Sequence, residues 1–256
     1  MNRKLILCAL LAATVALSGC VRAHNTVTIN KDGSGHATME FELSKTVAEA
    51  MAELKDIDAG SSQGMDMPSF EDFDKAEIEA SIAPYGVKLT SFEKFDEADR
   101  KGVKLAFDFK DLKGLSAAMS AAMDDEMGQG LGIFDAGDGN FVLKEASYDF
   151  SDMPRPKDKE EDEAADAEDA TPAQPSPEDM QKQMEVMGKL MGAMAELDVK
   201  MEITVPGDIV TTNAPAQEGR TSIWTINADN MMTQGQDMNP VITFSGKGLK
   251  IEPLTE

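Results

Sequence analysis

The chain has 256 residues, with 24 basic against 47 acidic side chains and a formal charge of −23. So acidic a surface repels nucleic acid and anionic lipid headgroups, which argues against a nucleic-acid-binding role. With two cysteines and two histidines in all, the composition also excludes a disulfide framework and a histidine-rich metal centre.

The first residues have three parts. Arg3 and Lys4 give a positive start, Leu5 to Leu17 is an almost unbroken apolar run, and Leu17-Ser18-Gly19-Cys20 closes it. This is the layout of a secretory signal. Thirteen helical residues span roughly 20 Å, short of a hydrocarbon layer about 30 Å thick. The order Leu, small, small, Cys resembles the lipobox of bacterial lipoproteins. That resemblance implies a diacylglyceryl thioether on Cys20, cleavage between Gly19 and Cys20, and attachment to the membrane through acyl chains. A plain signal with an incidental cysteine is the alternative. One acyl chain binds a membrane only marginally, whereas two or three on one residue anchor it. Residue Val21, where an Asp would signal inner-membrane retention, points to the outer membrane if the host has one. Removing residues 1–19 takes Arg3, Lys4 and Cys8 away and leaves 22 basic and 47 acidic residues, or −25.

The mature chain opens with a strand candidate over Thr26 to Asn30. A turn at Lys31 to Gly35 follows, then alternation of Ala37, Met39, Phe41 and Leu43 with polar residues. This predicts a hairpin with one buried face. Ser44 reads as the cap of a helix over Thr46 to Lys55. A Gly/Ser/Met loop covers Ala59 to Pro68, and Ser69 with Asp72 resembles a capping box opening a helix to Ala83. A second hairpin pairs Tyr85 to Phe95 with Lys101 to Lys110, placing Val103, Leu105, Phe107 and Phe109 on one face. Asp111 caps a short helix ending near Met123. A glycine-rich loop then leads to a strand from Asn140 to Phe150.

Asp152 to Asp179 holds eleven acids, three bases and almost nothing large and apolar. Such a segment buries too little to offset chain entropy and is expected to be disordered, a solvated insertion or an acidic tether. Ser176-Pro177-Glu178-Asp179 is a helix start. Met180, Met184, Met187, Met191 and Met194 follow at helical spacing and predict a core-facing stripe, with a docking surface or a thioether copper site as lesser readings. Val199, Met201, Ile203 and Val205 alternate as a strand. Pro206-Gly207 turns the chain, Ile209-Val210 continues it to Asn213, and Thr221 to Asn227 and Val241 to Ser245 are further strands.

The run Glu202 to Asn213, with strand, Pro206-Gly207, strand and Asn213, followed by Trp224 in the next strand, resembles the LppM-type domain of bacterial lipoproteins. The early hairpin with its Asp-Gly turn fits the same pattern. The resemblance implies an α+β fold with a curved antiparallel sheet packed by helices, and an association with envelope lipids. Pro206, Gly207, Asn213 and Trp224 are expected to serve structure, since Pro-Gly makes a turn and Trp fills a core. The chain departs from the pattern in its acidic insertion, and no apolar stretch of membrane-spanning length follows the signal. The expected organisation is a signal over 1–19, a first part of the domain over 20–151, the insertion over 152–175, and a completing part over 176–256.

No catalytic constellation emerges. His24 and His36 are the only histidines, and His36 follows a tight turn where a polar residue is ordinary. Asp135 to Asn140 resembles part of a calcium loop but lacks the acidic or amide residue at its third position and the distal glutamate, so a polar turn is expected. No cofactor-binding motif is present. The expected class is a non-enzymatic envelope lipoprotein holding a lipid or other apolar ligand. The alternative is a scaffold that meets another envelope protein through the Met-rich helix or the acidic insertion.

Overall fold

The computed structural model describes residues 21–50, 73–122, 129–148, 184–186, 188–189, 192, 197–227, 230 and 239–255. The fold is α+β, as the sequence implies. Its first hairpin pairs β1 (Val21–Ile29) with β2 (Gly35–Ser44) across the Lys31 to Ser34 turn. The turn is held by Asp32, whose carboxylate accepts from the Ser34 hydroxyl at 2.7 Å. Strand β1 begins five residues earlier than the apolar pattern indicates. Arg22 and His24 hide it because they face a polar surface rather than the core, and Asn25 interrupts the apolar side between Met39 and Met201.

Residues 45–50 turn helical after β2, and Ser44 Oγ accepts from Val47 N at 3.3 Å. The continuation of that helix, the loop over 59–68 and the capping box at Ser69 lie outside the described residues. The next helix, α1 (Lys75–Ile82), is capped by Asp74, which accepts from the backbone of Ala76 and Glu77. Phe73 and Asp74 are not helical, so Ser69 does not cap this helix. The second hairpin joins β3 (Val87–Asp96) to β4 (Arg100–Phe109), and Val103, Phe107 and Phe109 are buried as their alternation predicts. Asp111 caps α2 (Leu112–Ala122) by accepting from Gly114 N at 2.7 Å.

The expected glycine-rich loop is a strand. β5 (Gln129–Gly137) pairs with β6 (Asn140–Ser147) across Asp138-Gly139, and Asp135 to Asn140 forms that polar turn. Glycine at 130 hides the strand from propensity, yet the fold requires it, because any side chain there would collide with the Ser116 side chain of α2. The 152–175 insertion lies outside the described residues. Of the methionine stripe, Met184 is described and is 71% exposed, while Val186 is 2% exposed. Two residues along a helix is roughly a half-turn, so turning Val186 inward turns Met184 out. The expectation that Met184 faces the core is therefore corrected.

The chain ends in β7 (Leu197–Thr204), β8 (Ile209–Thr212), β9 (Ala216–Glu218), β10 (Thr221–Asn227) and β11 (Ile242–Ser245). Two sheets result. One has the order β3-β4-β2-β1-β7-β10-β9 and the other β5-β6-β11-β8. All pairs are antiparallel except β1 with β7. Register shifts between Leu89 and Ser91 and between Thr243 and Phe244 bend the strands they interrupt. One apolar core unites the sheets, with Ile29, Phe107 and Trp224 from the first and Leu143, Ile242 and Phe244 from the second. A smaller cluster of Leu43, Val47 and Val103 lies at the other end of the first sheet.

Candidate functional site

The large sheet has an apolar and a polar face because its strands alternate. Arg22, His24 and Thr26 of β1 sit beside Glu42, Glu40 and Thr38 of β2 on one side and Asp198, Lys200 and Glu202 of β7 on the other. Period-two geometry sets all nine on the face away from the core. A hollow of about 270 Å³ opens there, lined by Arg22, Ala23, His24, Glu40, Glu42, Asp198 and Lys200.

Cross-strand pairs organise its charges. Arg100 of β4 reaches Glu42 at 3.0 Å, with the two side chains 9% and 12% exposed. Arg22 stands 3.9 Å from both Glu42 and Asp198. Lys104 reaches Glu40 at 2.6 Å, and Lys200 pairs with Glu202. Burial pushes the Glu42 carboxyl up, and its hydrogen-bonded neighbour Glu40 adds to this against the pull of Arg100. Burial also opposes ionisation of Glu40, but hydrogen bonds from Glu42 and Lys104 outweigh it and leave that carboxyl lowered. Of the two glutamates, Glu42 is therefore the one that keeps its proton longer as pH rises.

Several polar atoms in this cluster have neither solvent nor a hydrogen-bond partner: Arg22 Nε, His24 Nε2 and Arg100 Nη2. His24 Nε2 lies 3.8 Å from Glu202, beyond hydrogen-bonding distance. The surface is a dense, internally neutralised charge ladder. It suits charged or hydrogen-bonding groups, whereas an alkyl chain would leave these ions desolvated. Farther along the same face, Thr26 and Thr38 hydroxyls meet at 2.6 Å, and His36 Nδ1 lies 2.9 Å from Asp108.

A second hollow, of about 420 Å³, lies at the opposite end of the molecule. Asp32 and Gly33 of the first turn, Asp111 to Lys113 at the start of α2, Tyr148 and the 250–254 segment line it. Tyr148 donates to Leu131 O at 2.6 Å. Burial and the negative charge of Asp111 push its phenol up to about 12, so it stays a neutral donor. Both hollows are open to solvent. Among the described residues no cluster of three His, Cys, Asp or Glu could hold a metal ion, and no helix is long and apolar enough to cross a membrane.

No protein-family model and no curated protein sequence matches the chain. Among solved structures it is similar to the folded domain of LppM from Mycobacterium tuberculosis, determined by NMR. The TM-score is 0.39 and the identity 12%, over 89% of this chain and 91% of that one. A likeness this distant leaves function to the chain's own residues.

The residues of the LppM-like sequence pattern all make structural contacts. Pro206 O accepts from Arg220 Nη1 at 2.8 Å. Gly207 lies so close to the Ser245 carbonyl that a side chain could not fit. Asn213 clamps the segment before β11, donating to Asn239 O at 2.8 Å and accepting from Val241 N at 2.9 Å. Trp224 is 1% exposed, and its indole N–H has no partner. None of the four lines either hollow. Sequence reading missed the charge ladder altogether, although Arg22/His24 opposite Glu40/Glu42 across a short turn is a legible cross-strand signal.

Proposed function

We propose that the chain is a non-enzymatic envelope lipoprotein, held by acyl chains on Cys20, that serves as a membrane-attached scaffold for a polar partner. The observation that carries this reading is the sequence leading to Cys20. The residues ending in Leu17-Ser18-Gly19-Cys20 have the form of a lipoprotein signal: a positive start, a short apolar run and small residues before a cysteine. The location that follows is the envelope, with Val21 favouring the outer membrane of a host that has one.

Growth with an alkyne fatty acid tests the anchor. The wild-type chain is expected to take up label and to run at its cleaved size. Cys20→Ala is expected to take up none and to persist as the longer precursor. Normal labelling of that variant would falsify the anchoring reading.

The scaffold reading is favoured over an apolar carrier by the lining of the two hollows. The first is walled by ions, and the second carries Asp32, Asp111, Lys113, Lys250 and Glu252 beside its apolar residues. An acyl chain in either would strip water from charges without replacing it. Solvent extraction and mass spectrometry of protein purified from membranes addresses the carrier: a stoichiometric, non-covalent lipid would reinstate it.

A further inference from the structure

Six strands of the large sheet present the same end as Val21. β2 runs back to it at Leu43, β4 starts there at Arg100, β3 finishes at Asp96, β7 starts at Leu197 and β10 finishes at Asn227. Cys20 is joined to this end by a single peptide bond, so its Cα lies about 3.8 Å from that of Val21. Val21 is fixed in register between Leu43 and Leu197, so β1 cannot peel away as a tether without losing pairing on both sides.

We propose, building on the lipid-anchor reading, that this end of the sheet is a membrane-contacting surface and that the strands stand upright on the bilayer. If the lipid of Cys20 enters the leaflet, Val21 is confined to the headgroup layer, which is only about 5–8 Å deep. The strand ends beside it are confined with it. Arg22 and Lys45 at this end are matched by Glu42, Asp198 and Asp96, so the acyl tether rather than a basic patch sets the contact. The charge ladder around Arg22 and His24 lies immediately above. Strand β1 then climbs about 26 Å over its nine residues, carrying the Lys31 to Ser34 turn and the second hollow into the aqueous space.

The test uses the full lipidated chain in phosphatidylethanolamine/phosphatidylglycerol vesicles. The mature chain has no cysteine besides Cys20, so one introduced thiol can be labelled selectively once that sulfur is a thioether. A fluorophore on Ala98→Cys reports the anchored end, and one on Lys31→Cys reports the far turn. With nitroxide-headgroup lipids, the Ala98 site is expected to be quenched several-fold more than the Lys31 site. A ten-residue Gly/Ser linker inserted between Cys20 and Val21 should make the two equal while leaving attachment intact. Equal quenching without the linker, on protein that floats with the vesicles, overturns the orientation and leaves the anchor standing. Inequality that survives the linker overturns the tether as its cause. Protein that carries no acyl group and does not float overturns both readings.

Discussion

Glu42 shows how one side chain can set the character of the polar face. It is nearly buried between Arg100, which favours its charge, and Glu40, which opposes it. Its carboxyl is raised above the ordinary 4.5, so the folded chain holds that proton more tightly than the unfolded chain. The stability it contributes is complete below pH 4.5 and is lost as pH climbs through the raised value. Glu42→Gln keeps the shape and removes the titration. Urea unfolding of the two proteins across pH 3 to 8 is expected to show a constant difference below the ordinary carboxyl range. Above it, the wild type should lose ground to the variant. A difference that stays flat throughout would mean that the folded and unfolded chains hold this proton equally tightly, and one that turns toward the wild type as pH rises would mean that Arg100 outweighs burial. Arg100 Nη2, buried and without a partner, identifies the guanidinium as positioned for Glu42 rather than satisfied on all sides.

At the scale of elements, β5 depends on small residues, because α2 lies directly on it. Ser116 of α2 accepts at Oγ from Leu131 N at 3.2 Å, and Gly130 has no room for a methyl beside it. Gly130→Ala must push α2 away and lose that hydrogen bond. Overpacking of this kind costs about 1–3 kcal/mol, which calorimetry should read as a lowered Tm. A variant as stable as wild type would show that α2 can shift freely. The same crowding explains which elements could be read from sequence. β2, β4, β7 and β10 bury one clean face each, so alternation found them. β5 trades side chains for close packing and looks like a loop. Pro206-Gly207 was legible as a turn, but β8 then enters the other sheet, held there by a bond from Ser245 N to Asp208 O at 2.9 Å. Local pattern carries no record of which sheet a strand joins. The β7 side of the candidate site was invisible for the same reason, since His24 and Lys200 become neighbours only through the parallel β1–β7 pair.

For the molecule as a whole, that pair decides what can fold alone. β1 is central in the large sheet, with β2 from its own hairpin on one side and β7 from far along the chain on the other. In the small sheet, β11 likewise lies between β6 and β8. Residues 20–151 alone would expose one side of β1, one side of β6, and the core positions that Ile203, Trp224, Ile242 and Phe244 fill. Residues 176–256 alone would keep β7 and β10 but lose the partner of β7 that continues the sheet. Neither piece closes the core that both sheets share, so each is expected to lack a cooperative unfolding transition. The connection over 152–175 matters far less, because the entropy of closing a loop changes by only about 0.6 kcal/mol for each doubling of its length. Excising it should leave one cooperative transition within a few degrees of wild type. Mixing the two separate pieces should restore native near-ultraviolet dichroism of Trp224. Cooperative folding of 20–151 by itself would show that the β1–β7 pair decorates the sheet rather than completing it.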